Sequence, residues 1–274
     1  MMAKTLSKKD KQGLLMIGIG VAAMLALVGA KILVGDKPKP APDNCVGSVT
    51  ANTVVILDHS DRLSDQTLEE IMARSMRHIL DEVQINERVS VFTISDITRQ
   101  SLKPIVSVCR PREDGNRAVE NVQMLRKRFQ QNFEKPIREA LQILPVAGRE
   151  SPIAQAITDL SLSQYLRGER NTLLIYSDML EHTERFSLLR CGGAADVVSR
   201  FRASRQGSQE RPEFKNTKVV LNLVPRNDQP LQNLKCRDQL WPWFFGNNSG
   251  SRAELTLDYL PGGTLTSSTS GIRQ

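Results

Sequence analysis

The chain opens with one long apolar run and then settles into short apolar blocks separated by polar stretches of helical spacing. Residues 14–30 (LLMIGIGVAAMLALVGA) carry no charge, and Ile32, Leu33 and Val34 extend the run past Lys31. Farther on, residues 53–57 (TVVIL), 88–95 (RVSVFTIS), 172–177 (TLLIYS) and 217–224 (TKVVLNLV) are apolar blocks of strand length. Near-continuous blocks of this kind mark strands buried on both faces of a parallel sheet. Residues 104–109 (PIVSVC) follow the second block after only eight residues. That is too few for a helical crossover, so this strand is expected antiparallel to the second, at the sheet edge. A last strand is expected over 253–259 (AELTLDY).

Helical periodicity fills the intervals. From 65 to 83, Leu68, Ile71, Met72, Ser75, Ile79 and Val83 fall on one face, with Ser64 placed to cap the N-terminus. Ser151-Pro152 reads as N-cap and first helical position of a helix running to about Leu166, with Ile153, Ala156, Ile157 and Leu160 inward. A charged helical region over 116–144 is expected to break or kink at Pro136, and one over 230–245 to break at Pro242. A glycine-interrupted helix is expected near 185–203. Alternating strands and helices predict an α/β fold: a doubly wound, mostly parallel sheet with one antiparallel edge strand. Residues 45–262 are long enough for one domain with a sizeable core.

The first run changes the picture of where this domain sits. A membrane span needs about 20 apolar residues, so 14–35 is read as a single transmembrane anchor, with Lys31 reaching toward the interface. Lys4, Lys8, Lys9 and Lys11 precede it against one acid, Asp10. The positive-inside rule keeps this basic segment, 1–13, cytoplasmic and exports the rest. Val28-Gly29-Ala30 also offers the small residues of a signal-peptidase site, so a cleaved signal peptide is the alternative. Pro38, Pro40 and Pro42 stiffen a linker over 36–44, and the Gly/Ser/Thr-rich stretch 263–274 is expected to be a disordered tail.

Net charge is +7, but residues 1–13 hold +3 and residues 31–43 hold +1, leaving an ordinary +3 for the remainder. No basic stripe is interleaved with aromatics, which argues against nucleic acid as a partner. Cys45, Cys109, Cys191 and Cys236 are widely spaced and form no CxxC. In an exported domain they predict two disulfides. Cys45 and Cys109 both reach the amino edge of the expected sheet, and Cys191 and Cys236 both follow carboxyl-edge connections, so the pairing expected is Cys45–Cys109 and Cys191–Cys236.

Candidate chemistry lies where two apolar strands end. Asp58 follows 53–57 and Asp178 follows 172–177, which places both at the carboxyl edge of the sheet, where open α/β folds bind ligands. Two such acids with hydroxyls nearby could hold a hard divalent cation. Asp58-His59-Ser60, the segment Gly148-Arg149-Glu150-Ser151-Pro152-Ile153, and Tyr176-Ser177-Asp178 occur in order. Over about 50–260 the chain resembles a von Willebrand factor A-type domain with its metal-ion-dependent adhesion site. The resemblance implies Mg²⁺, for which Mn²⁺ substitutes, held by Asp58, Ser60, Ser151 and Asp178. One position departs from the pattern: Arg62 stands where the family has its second serine ligand, and a guanidinium there would repel a cation. Met179 stands where the family has glycine, read as a milder change.

The resemblance implies a site that docks proteins, so the expected function is a membrane-anchored, extracytoplasmic binding or scaffold component of an envelope assembly, periplasmic in a bacterium, and not an enzyme. The alternatives are a metal-dependent hydrolase using the same acids, with His59 or His182 as base, and a scaffold that binds no metal. Trp241-Pro242-Trp243-Phe244-Phe245 is read as core packing of the last helix, against an exposed partner patch as alternative. No Walker, dinucleotide or G-x-S-x-G glycine pattern occurs.

Overall fold

The computed structural model describes residues 8–34, 41–58, 60–98, 102–115, 120–142, 150–246 and 254–264. The chain divides into two units, Met1–Lys39 and Pro40–Gln274. In the first, helix α1 spans Lys8–Val34. Its Leu15, Met16, Ile17, Ile19, Met24 and Leu25 side chains are all exposed. Among the described residues no helix is long and apolar enough to cross a membrane. The uncharged run 14–30 lies within α1, but Leu14, Leu27 and Ala30 fall outside the described side chains. The transmembrane reading of 14–35 therefore rests on the sequence run. Residue 35 of the expected anchor and residues 36–40 of the expected linker lie outside the described residues.

The second unit is built on one sheet. Its strands are β1 (Ala51–Leu57), β2 (Arg88–Thr93), β3 (Val106–Cys109), β4 (Arg170–Ser177), β5 (Thr217–Leu223) and β6 (Glu254–Tyr259). They lie in the order β3-β2-β1-β4-β5-β6. Every pair is parallel except β2–β3, which is antiparallel at the edge, as the short connection predicts. Alternating side chains feed two cores. Val54, Ile56, Leu173, Ile175, Val219 and Leu221 pack under α3 (Ile94–Thr98), α6 (Ile153–Leu162), α7 (Val197–Ser204) and α8 (Leu231–Phe245). Val55, Leu57, Val89, Val91, Leu174 and Tyr176 face α2 (Asp65–Asp81) and α5 (Lys135–Leu141). Burial on both faces explains why β1 and β4 read as continuous apolar blocks.

Ser64 caps α2 as expected, accepting from the Thr67 N–H. The other end of α2 is closed by Arg110, whose Nη1 donates to the carbonyls of Leu80 and Val83 at 2.8 and 2.7 Å. A cation there also opposes the negative end of the helix dipole.

Several expectations are corrected or refined, among them the helix near 185–203, which is a 3₁₀ turn at Leu188–Arg190 followed by α7, and the helix to about Leu166, which ends at Leu162. Ile94 and Ser95 are not strand but open α3, because the Asp96 carboxylate accepts from the Thr93 N–H while Thr93 Oγ1 accepts from the Asp96 N–H, a reciprocal cap. The irregularity expected near Pro136 is a π-helical segment and not a full break. A π-turn over Gln130–Glu134 joins α4 (Val122–Phe129) to α5, and Pro136 sits in the first turn of α5, where its missing N–H is harmless. Pro242 does not break the last helix: it lies inside a continuous α8 held down by buried Trp241, Phe244 and Phe245. Gly263 and Thr264 belong to the domain rather than to a tail: the Gly263 N–H donates to Thr67 Oγ1 at 2.8 Å, and Thr264 bridges Leu63. Residues 265–274 lie outside the described residues. Both disulfides pair as expected, Cys45–Cys109 and Cys191–Cys236.

Candidate functional site

Strand order reverses between β1 and β4, whose connections leave in opposite directions along the sheet. Ligands of open α/β sheets bind in the crevice outside the strand ends at such a point. The two strands are in register, with Leu57 opposite Tyr176, and the Asp58 N–H donates to the Tyr176 carbonyl at 2.9 Å. This brings Asp58, Ser177 and Asp178 out side by side, with both aspartates buried.

The Asp58 carboxylate is saturated with donors. Its Oδ2 accepts from Ser177 Oγ at 2.7 Å and from Ser151 Oγ at 3.2 Å, and its Oδ1 accepts from the Ser60 N–H at 3.1 Å. Ser60 thus reaches Asp58 through its backbone. Ser177 is not among the expected site residues, although it joins Asp58 to the next loop: its Oγ also accepts from the Met179 N–H at 2.8 Å. A serine ending an otherwise apolar strand is the signal that marks it.

Ser151 reaches the site by giving up the capping role expected of it. Its carbonyl accepts from the Ile153 N–H across Pro152, whose φ of −81° and ψ of 63° make an inverse γ-turn. Two backbone bonds to His182 pin Ser151 beside the end of β4. Its hydroxyl turns to Asp58, and the helix N-terminus is served instead by Glu181, which accepts from the Ala154 N–H at 2.8 Å. Burial pushes the Glu181 carboxyl up to about 8, against the pull of that N–H.

Asp178 meets a cation. Arg226, in the loop after β5, donates from Nη1 to Asp178 Oδ2 at 2.6 Å and to Asp61 Oδ2 at 2.5 Å. Its Nε and Nη2 grip Asp228 at 2.9 and 3.0 Å. The other Asp178 oxygen accepts from the Leu180 N–H. Burial and the Asp58 charge push the Asp178 carboxyl above the usual carboxylate range, while Leu180 and Arg226 pull it back. Burial opposes the charge on Arg226, but its three carboxylates outweigh that and hold it firmly protonated. Arg62, the guanidinium suspected from the sequence, is exposed, and its neighbour Asp61 pairs with Arg226.

Met179 is the larger departure, contrary to its reading as mild. Its φ is +57°, a left-handed conformation that suits glycine and is costly for a long side chain. Burial of the side chain, the Ser177 hydroxyl and a 2.6 Å bond from Trp241 Nε1 to its carbonyl hold it there. The aromatic segment is core, as expected; Trp243, less buried, takes Arg211 over its ring at 4.8 Å.

The four expected ligands come together only in part. Asp58 and Ser151 are in contact, Ser60 supplies its backbone, and Asp178 is turned to Arg226. Among the described residues no group of three or more His, Cys, Asp or Glu side chains is arranged to hold a metal. Mg²⁺ needs about six oxygens at close range, and a guanidinium on one of the two acids takes the place of that charge. The arrangement as built does not fit the ion. His182 serves structure, its Nδ1 lying 2.8 Å from Ser187 Oγ; His59, Gly148 and Arg149 lie outside the described residues.

No protein family and no curated protein matches the chain. Among solved structures it is similar to the crystal structure of the human COPII-coat protein Sec24c, at 12% identity and a TM-score of 0.33. The match covers 80% of this chain and 30% of that one, so the chain spans under a third of that protein's length. Likeness at this level carries no argument.

Proposed function

We propose that this is a membrane-anchored, exported binding module of the von Willebrand A-like kind, which docks a protein partner of an envelope assembly at the carboxyl edge of its sheet. One observation carries the reading: the loops after β1, β4 and β5 converge at the topological switch point and are locked to one another through Arg226. The polar groups there are spent on fixing a surface, which is what a docking face needs. The strand order, antiparallel edge strand and position of Asp58 and Asp178 support the family resemblance. Two disulfides support an oxidising compartment. The basic segment 1–13 and the uncharged run 14–30 support an anchor with a cytoplasmic N-terminus, the domain lying in the periplasm of a bacterium.

Site-specific photo-cross-linking of the full chain in its native envelope tests this. Probes at Arg62 and Asn227, both exposed on the carboxyl edge, are expected to capture a partner, and probes at Gln84 and Ile85 on the amino edge are not. Adducts confined to the amino edge, or absent from all four positions, would remove the basis for this docking face.

A further inference from the structure

We propose that Arg226 is the resident cation of the carboxyl-edge site, a covalently tethered charge that does the work of a bound divalent ion. Three acids converge there and need a positive charge between them. Asp178 comes from the end of β4, Asp61 from the loop after β1 and Asp228 from the loop after β5, and a single guanidinium contacts all three. Only 8% of its side chain is exposed. A planar fork suits this place because it bonds a carboxylate bidentately with Nε and Nη2 while Nη1 bridges two others. Asp58, the acid that Arg226 does not touch, is held differently, by hydrogen bonds from two hydroxyls and one N–H.

The consequence is a site whose shape does not depend on metal. A free ion arriving at Asp178 has to displace a tethered charge that already holds three acids. Removing that charge while keeping the rest leaves Asp61, Asp178 and Asp228 facing one another with no cation. Like charges a few ångströms apart in a partly buried setting repel strongly, so such a group attracts a divalent ion.

The test is titration of Mn²⁺ alone into the oxidised full-length chain in mild detergent, read as loss of the free-ion electron paramagnetic resonance signal, with thermal midpoints taken in Mn²⁺ and in EDTA. The wild-type chain is expected to bind no Mn²⁺ at this site and to melt at the same temperature in both. Arg226→Gln keeps a polar side chain with donors but loses the charge; it should bind Mn²⁺ at least about tenfold more tightly than wild type and melt higher with the ion than with EDTA. Arg226→Lys keeps the charge and should stay blind to the ion. Should Arg226→Gln fold only when Mn²⁺ is present, the ion has taken over the role, which supports the proposal. Wild-type binding that disappears in Asp178→Ala would overturn it, and so would an Arg226→Gln chain that gains no affinity or fails to fold with the ion present. The measurement uses no partner, so its result is independent of the docking reading.

Discussion

The indole N–H of Trp241 donates to the carbonyl of Met179 across 2.6 Å, joining the last helix to the one residue of the site loop with left-handed backbone. Both residues are almost fully buried. Trp241→Phe keeps most of the packing but leaves a buried carbonyl without its donor, which costs about 1–3 kcal/mol. A denaturant midpoint lowered by that amount, at unchanged slope, is the expected result. A change under about 0.5 kcal/mol would mean that the carbonyl does not depend on Trp241.

Ser177 and Ser60 both contact Asp58, but only Ser177 does so with its side chain. Ser177→Ala removes a donor to Asp58 and an acceptor for the Met179 N–H, and is expected to cost about 2–3 kcal/mol. Ser60→Ala keeps its backbone donor and should stay within about 0.5 kcal/mol of wild type. Equal effects of the two substitutions in equilibrium unfolding would contradict this geometry.

Glu181 predicts a pH dependence with a definite sign. Its carboxyl is raised from an ordinary 4.5 to about 8, chiefly by burial. The folded state therefore holds this proton more tightly than the unfolded chain does. The stabilisation is complete below about 4.5 and is lost as pH rises through about 8. Glu181→Gln keeps an acceptor for the Ala154 N–H and removes the titration. Stability measured from about pH 5 to about pH 8 should fall less steeply in this variant, by up to roughly 1.4 kcal/mol per pH unit. Parallel curves for the two proteins would refute the assignment.

The disulfides join residues 64 and 45 positions apart. Loops of that size remove roughly 4 kcal/mol of unfolded-state entropy each. Replacing Cys191 and Cys236 by alanine should lower the guanidinium midpoint accordingly, as should replacing Cys45 and Cys109. Non-reducing peptide mapping of the wild-type chain checks the pairing directly, and any crossed peptide would count against the strand placement.

The sheet was legible because β1 and β4 are buried on both faces, so their apolar blocks stand out whatever lies around them. The antiparallel β3 followed from a connection too short for a helix, and the disulfide pairing followed from which edge each cysteine reaches. The site was only half legible. Asp58 and Asp178 are fixed by where strands end, a local property. Arg226 is not: nothing near it in sequence says that a loop arginine after β5 will lie against an acid that ends β4. Arg62 drew attention because it occupies a ligand position in the pattern, yet a side chain on an outer turn can rotate to solvent at little cost. Ser151 before Pro152 reads as a cap, and only the contacts with His182 and Glu181 reveal that the cap is supplied from elsewhere. Pro242 misled because tertiary packing outweighs a local breaker.

The Cys45–Cys109 bond ties the entering chain to the amino edge of the sheet, while the candidate contact face lies at the opposite ends of the strands. A pull between those two places runs lengthwise along β1 and its neighbours. It loads their interstrand bonds together in shear, instead of peeling them apart one at a time. Resistance to such a pull is therefore set by many bonds acting at once, and the disulfide places one end of the load on the sheet itself.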